Sequence, residues 1–273
     1  MRKLLFIIVL LLISASAWAT NTAYVSRKGA SGILSGAHTM SCPNAVTFSN
    51  TANYEICQIA YYSSGTTPQT VSISCTTNCS GVSWTQLVPQ TNIVQGSSNF
   101  AFAVWISPVG QTSSATTSTV SVSTGLCAVC YIEGISYEIV TTGVLDGSAV
   151  TASGTGLTYT TASLTLASSN EALNSSVALV LNTGTAGLAS FAAGTGFSVI
   201  PSYGVTHQVG SSCSNTNEVS ADMGWSAGTS GVVTPSATAS VCAGSPVEDW
   251  AMLAYALAVS GGGAIQTMPP VVY

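Results

Sequence analysis

The stretch LCAVCYIEGISYEIV, residues 126–140, decides the fold. It is the longest β-prone run downstream of the leader, rich in Ile, Val, Tyr and Cys, and it shows no 3.6-residue apolar period. Read as one strand, it predicts a central core position, tied to its neighbours by cysteines.

The rest of the chain repeats the pattern in shorter pieces. Upstream, strands are expected at Thr22–Lys28, Ala45–Ser49, Tyr54–Tyr62, Gln69–Cys75, Val82–Val88, Phe100–Ser107 and Ser118–Ser123. Downstream, they are expected at Leu157–Leu166, Ala172–Asn182, Phe197–Ile200, Gly204–Val209, Val219–Trp225, Ser236–Val241 and Trp250–Val259. Gly, Ser, Thr and Asn clusters separate them, and no convincing amphipathic helix interrupts them. Alternation is clear in FAFAVWI, where Phe100, Phe102, Val104 and Ile106 oppose Ala101, Ala103 and Trp105. The expected fold is all-β: an antiparallel two-layer β-sandwich, jelly-roll-like, with half-buried strands and disulfide staples.

Residues 1–19 read as a signal peptide. Arg2 and Lys3 precede an apolar run at Leu4–Ile13, and Ala17-Trp18-Ala19 forms the cleavage site. The run is too short to span a bilayer. Residues 20–260 are expected to form a single β-sandwich domain. Residues 261–273 follow Gly261-Gly262-Gly263 and read as a C-terminal tail, either flexible or docking on a partner by strand addition.

Beyond the leader only Arg27 and Lys28 are basic, against nine acids, a side-chain balance of −7. Two adjacent cations cannot neutralise a row of phosphates, which excludes nucleic acid as a partner. An anionic membrane surface is excluded on the same ground, and no membrane insertion of the mature chain is expected. Sparse titrating groups predict tolerance of acid.

All eight cysteines, Cys42, Cys57, Cys75, Cys79, Cys127, Cys130, Cys213 and Cys242, lie in the exported part, and an even count there reads as disulfides. Cys75 and Cys79 flank a short turn and are expected to pair locally. Cys42 and Cys57 straddle the turn at Ser49–Asn53, which suits a bridge across a hairpin. Cys213 and Cys242 suit closure of a long loop. Cys127 and Cys130 have redox spacing but no βαβ setting, and no second ligand pair completes a zinc site, so structural disulfides are the better reading.

Several segments, AYVS at 23–26, GVSWTQLV at 81–88, FAFAVWIS at 100–107, YEIVTTGVLDGSA at 137–149 and DWAMLAYALAV at 249–259, carry a resemblance. In their order they resemble a jelly-roll or lectin-like β-sandwich module of secreted bacterial surface and phage tail-associated proteins. The resemblance implies a surface or adhesive setting without catalysis. The cysteine load and the tail depart from it.

Catalytic constellations are weak. Glu133 and Glu138 are similar to the outer carboxylates of the E-x-D-x-x-E strand of lectin-like glucanases, but Ile135 stands where Asp is needed. Five residues apart, they face opposite sides unless Gly134 seeds a bulge. Gly224-Trp225-Ser226-Ala227-Gly228 matches a nucleophile elbow, yet both His38 and His207 precede Ser226. Asp146, Glu218, Asp222, Glu248 and Asp249 are candidate calcium oxygens only if they converge. The aromatics, Trp84, Trp105, Trp225, Trp250, Tyr54, Tyr131 and Tyr137 among them, read as core. Tyr61 and Tyr62 are adjacent on one strand, so one of them is expected to face water and to contact a ligand.

The expected protein is therefore secreted, extracellular or on the cell surface. It needs no cofactor or metal and is not an enzyme. It serves as an adhesive or extracellular-matrix protein whose partners are glycans or other surface proteins. The alternatives are a subunit of a self-assembling extracellular filament and a glycoside hydrolase of a lectin-like sandwich fold.

Overall fold

Tyr54–Ser64 and Cys130–Ile139 lie side by side at the centre of the molecule, paired without interruption from Tyr54 opposite Ile139 to Ser63 opposite Cys130. The computed structural model describes residues 24–34, 39–64, 70–96, 98–110, 112–123, 130–166, 172–180, 188–194, 220–223, 231–241 and 249–258. Among these it contains strands and no helix. In chain order the strands of the first half are β1 (Tyr24–Leu34), β2 (Thr39–Ser41), β3 (Tyr54–Ser64), β4 (Val71–Thr77), β5 (Thr85–Gln95), β6 (Ser98–Pro108), β7 (Thr117–Val122) and β8 (Cys130–Ile139). Those of the second half are β9 (Val150–Thr155), β10 (Thr158–Thr160), β11 (Leu164–Leu166), β12 (Ala172–Val180), β13 (Leu188–Ala193), β14 (Ser220–Met223), β15 (Gly231–Val233), β16 (Ser236–Val241) and β17 (Asp249–Leu257).

The central sheet has the order β1-β8-β3-β6-β5, with every neighbour antiparallel. Within the stretch read as one strand, Cys130–Ile139 supplies a central strand, as expected, while residues 126–129 lie outside the described residues. Both faces of this sheet are covered. On one side Phe100, Phe102, Val104 and Ile106 of β6, with Ile56, Tyr137 and Ile139, pack on Ala251, Leu253, Tyr255 and Leu257 of β17. That strand belongs to a second sheet, β14-β12-β17-β9. On the other side Cys57, Ile59, Tyr61, Ala101 and Ile132 pack on Met40, Val71, Val120 and Val122 of a third sheet, β2-β7-β4.

The two-layer expectation with half-buried strands is therefore too thin. The alternation in β6 is as read, but its Ala face is core as well, because small side chains let the third sheet approach. Gly134 on β8 shows how closely: a Cβ there would lie 2.5 Å from Met40 Cε and 3.2 Å from Cys42 Sγ. β17 is likewise covered twice. Its Ala254 and Ala256 meet Leu164 and Leu166 of β11, and Trp250 meets the edge of Tyr159 at 5.5 Å between ring centroids.

Polar groups also join the layers. The Tyr255 hydroxyl donates to Gln58 Oε1 at 2.7 Å, so the Tyr137 hydroxyl donates to Tyr255 Oη. This chain links β8, β17 and β3 inside the core, where unpaired hydroxyls would be costly.

Two disulfides form among the described residues, Cys42–Cys57 and Cys75–Cys79, with Cα atoms 6.1 and 5.6 Å apart. Both pairings are as expected. The setting of the first differs: β2 and β3 lie in different sheets, so the bridge ties two layers rather than two strands of a hairpin. Cys127, Cys213, Cys242 and the side chain of Cys130 fall outside the described residues.

Local departures have local causes. Ala45–Ser49 forms only an isolated bridge, Val46 to Thr116, because Ala45 takes a φ of 50°. Leu157–Leu166 divides into β10 and β11, which pair with β16 and β15. The division falls where the pairing segment, between β15 and β16, reaches Pro235, which has no N–H to extend the ladder; its carbonyl accepts from Thr161 N–H instead. Asp146-Gly147 turns as read, with Gly147 at a φ of 74°. The expected strands at Phe197–Ile200 and Gly204–Val209 lie outside the described residues. No helix among the described residues is long and apolar enough to cross a membrane.

Candidate functional site: a buried carboxyl pair

The tripeptide Tyr-Glu-Ile occurs twice, at 54–56 and at 137–139. In the antiparallel register of β3 and β8 the copies meet head to tail: Tyr54 faces Ile139, Glu55 faces Glu138 and Ile56 faces Tyr137. Directly opposed residues on neighbouring strands bring their Cβ atoms to about 5 Å. The two glutamates therefore share the face turned to the third sheet, beside Cys57 and Ile132. Both are 0 % exposed.

Their surroundings differ. Glu138 Oε1 accepts the backbone N–H of Ser49, in the segment that follows the Cys42 bridge. Neither oxygen of Glu55 receives a hydrogen bond. Ser107, opposite Glu55 on its other side, is engaged elsewhere: its hydroxyl accepts from Ser83 N–H and donates to the Pro108 carbonyl. Burial, followed by the charge on Glu138, pushes the Glu55 carboxyl from 4.5 up to about 9. Glu55 is thus a neutral acid at pH 7, because a second buried anion without donors would be far more costly. Sealed between layers, the pair can hold a proton but cannot meet a substrate.

Nothing in its local sequence singles out Glu55. It sits in a nearly unbroken apolar run, YEICQIAYY, and the repeated tripeptide is the signal that marks its partner. Glu133 and Glu138 are not brought together. The pairing of β8 with β3 has no bulge at Gly134, so the odd spacing keeps the two backbone positions on opposite faces.

Tyr61 and Tyr62 do not form a surface pair. Tyr61 is 1 % exposed and packs towards the third sheet, while Tyr62 is 7 % exposed and packs against Phe100 on the other face. The expectation that one faces water fails because β3 is covered on both sides. Burial also pushes the Tyr61 phenol up. Trp84 and Trp105 are partly buried against the core, and Trp250 is buried. Among the described residues no three His, Cys, Asp or Glu side chains come together as metal ligands. Glu218, Glu248 and residues 224–228 lie outside the described residues, as does the side chain of Asp222.

Comparison with family models, with curated proteins and with solved structures finds no match in any of the three.

Proposed function

We propose that this chain is an exported, non-catalytic protein of the cell surface or extracellular matrix, with an adhesive role towards glycans. The observation that carries the reading is the Cys42–Cys57 bridge, sealed in the core between two sheets. A cystine there belongs to an oxidising compartment, in keeping with the leader at residues 1–19. The glycoside hydrolase reading loses its support, since Glu138 is buried and position 133 lies on the opposite face.

The finer fold we propose is a jelly roll in the first half, extended by the later strands. A long hairpin pairing strand 1 with 8, 2 with 7, 3 with 6 and 4 with 5 rolls into sheets ordered 1-8-3-6 and 2-7-4-5. The orders β1-β8-β3-β6 and β2-β7-β4 agree with that scheme; β5 departs from it by joining β6.

Fractionation of producing cells tests the reading. The chain should appear in the medium or be removed by protease shaving of intact cells, with its cystines oxidised on non-reducing gels. A reduced, intracellular chain overturns it, and so does turnover of any substrate in a chromogenic glycoside panel.

A further inference from the structure

Of the two bridges among the described residues, one is sealed and one is open to solvent. Cys42 and Cys57 are 2 % and 0 % exposed. Cys79 is exposed and Cys75 half-exposed, and every residue from Thr76 to Gly81 is exposed. The Cys75–Cys79 ring is short, with a sequence separation of 4, so closing it removes little freedom from the unfolded chain. A small entropic gain and open access mark a bridge that thiols can reduce.

The surroundings also favour opening. Cys75 Sγ lies 3.6 Å from both the Thr77 and the Thr117 carbonyl oxygens. A cystine sulfur has no proton to give them, whereas a Cys75 thiol donates to either. That interaction exists only in the open form and shifts the balance towards it. The loop keeps its place without the bridge. Asn78 Nδ2 donates to the Ala115 carbonyl at 2.6 Å, and Thr116 Oγ1 donates to the Asn78 carbonyl at 3.3 Å. Val82 N–H donates to the Cys79 carbonyl at 3.0 Å. No charged residue occurs in 39–47, 70–96 or 112–123, the segments that build this sheet and its turns, so an incoming thiolate meets no repulsion from them.

We propose that Cys75–Cys79 is a thiol-exchange site, at which an external thiol is captured on Cys79 as a mixed disulfide. The thiolate attacks Sγ of Cys79, the more exposed residue of the two. The bond between the two cysteines breaks, and its electron pair leaves on Cys75 Sγ, which takes a proton from water. Attack by Cys75 in the reverse direction expels the guest thiol and closes the ring. No oxidant is consumed, since one disulfide is exchanged for another. The site goes beyond the glycan reading and does not rest on it.

Peptide mapping of the full exported chain after glutathione treatment and alkylation tests this. A second arm replaces glutathione with a small protein bearing one exposed cysteine, which separates small thiols from protein thiols as the source. At least one arm should open Cys75–Cys79 at a thiol concentration where Cys42–Cys57 stays closed and thermal melts show a folded chain. Cys75→Ser removes the thiol that expels the guest, and Cys79 should then hold glutathione after treatment with glutathione disulfide. Cys79→Ser leaves Cys75 beside its carbonyls, and its adduct should form about tenfold more slowly. A bridge that resists both thiols until the chain unfolds overturns the proposal, as does opening of Cys42–Cys57 at the same concentration. Equal rates of adduct formation in the two folded variants overturn the assignment to Cys79.

Discussion

Replacing Glu55 with glutamine should remove most of the pH dependence of this protein's stability. Glu55 is 0 % exposed, opposes Glu138 in register and has its carboxyl pushed from 4.5 to about 9 by burial and by that neighbour. Between those values the folded chain holds a proton that the unfolded chain has released. Stability is therefore complete below about pH 4.5, falls as pH rises and levels off above about 9. At ~1.4 kcal/mol per unit, the loss is about 3 kcal/mol at pH 7 and at most about 6 kcal/mol at pH 9, where water entry into the site limits it. An amide stays neutral throughout and can donate to Glu138. The Glu55→Gln protein should match the parent at pH 4 and exceed its stability by several kcal/mol at pH 8. Urea unfolding followed by tryptophan fluorescence at each pH from 4 to 9 measures this. Groups distant from position 55 are common to both proteins and largely cancel in the difference. A parent whose stability is flat or rises from pH 5 to 9, or a variant that keeps the parent's slope, refutes the reasoning. The sign runs in the same direction as the acid tolerance expected from the few titrating groups, an expectation that a thermal melt between pH 7 and 3 tests.

Removing the Cys42–Cys57 bridge by double alanine substitution should cost about 3 kcal/mol in chemical unfolding, given its sequence separation of 15. The Cys75–Cys79 bridge, with a separation of 4, should cost clearly less in the same assay. Tyr255→Phe deletes the hydroxyl between Tyr137 and Gln58 and should destabilise by about 1–3 kcal/mol, read from the urea midpoint. Gly154→Ala places a Cβ 2.8 Å from Cζ2 of the buried Trp250 ring and should lower the melting temperature, at about 1–3 kcal/mol.

The sequence carried the strand content well, because a β-strand announces itself through local composition and a period of two. Ser236–Val241 was legible to the residue, and the alternation of Phe100–Ile106 was legible in full. Layer number was not. Whether Ala101 and Ala103 face water or a third sheet depends on what packs there, and alanine suits either. The same ambiguity misplaced Tyr61 and Tyr62. Alternation tells that adjacent residues point apart, but not that both destinations are buried. The carboxyl pair was hidden for a related reason, since register between strands is a tertiary property. Glu55 and Glu138 stand 83 positions apart along the chain, and only the pairing of β3 with β8 makes them neighbours. The sparse charge was legible, and it left few acids to pair.

The two Tyr-Glu-Ile copies have one more consequence. Antiparallel strands are related by a local two-fold axis, and identical tripeptides set on such an axis place each central residue against its own kind. Like thus meets like by symmetry. Ser49 breaks that degeneracy by donating to Glu138 alone. A single backbone N–H, held near the core by the cystine a few residues before it, thereby distinguishes two side chains that the local symmetry would make alike.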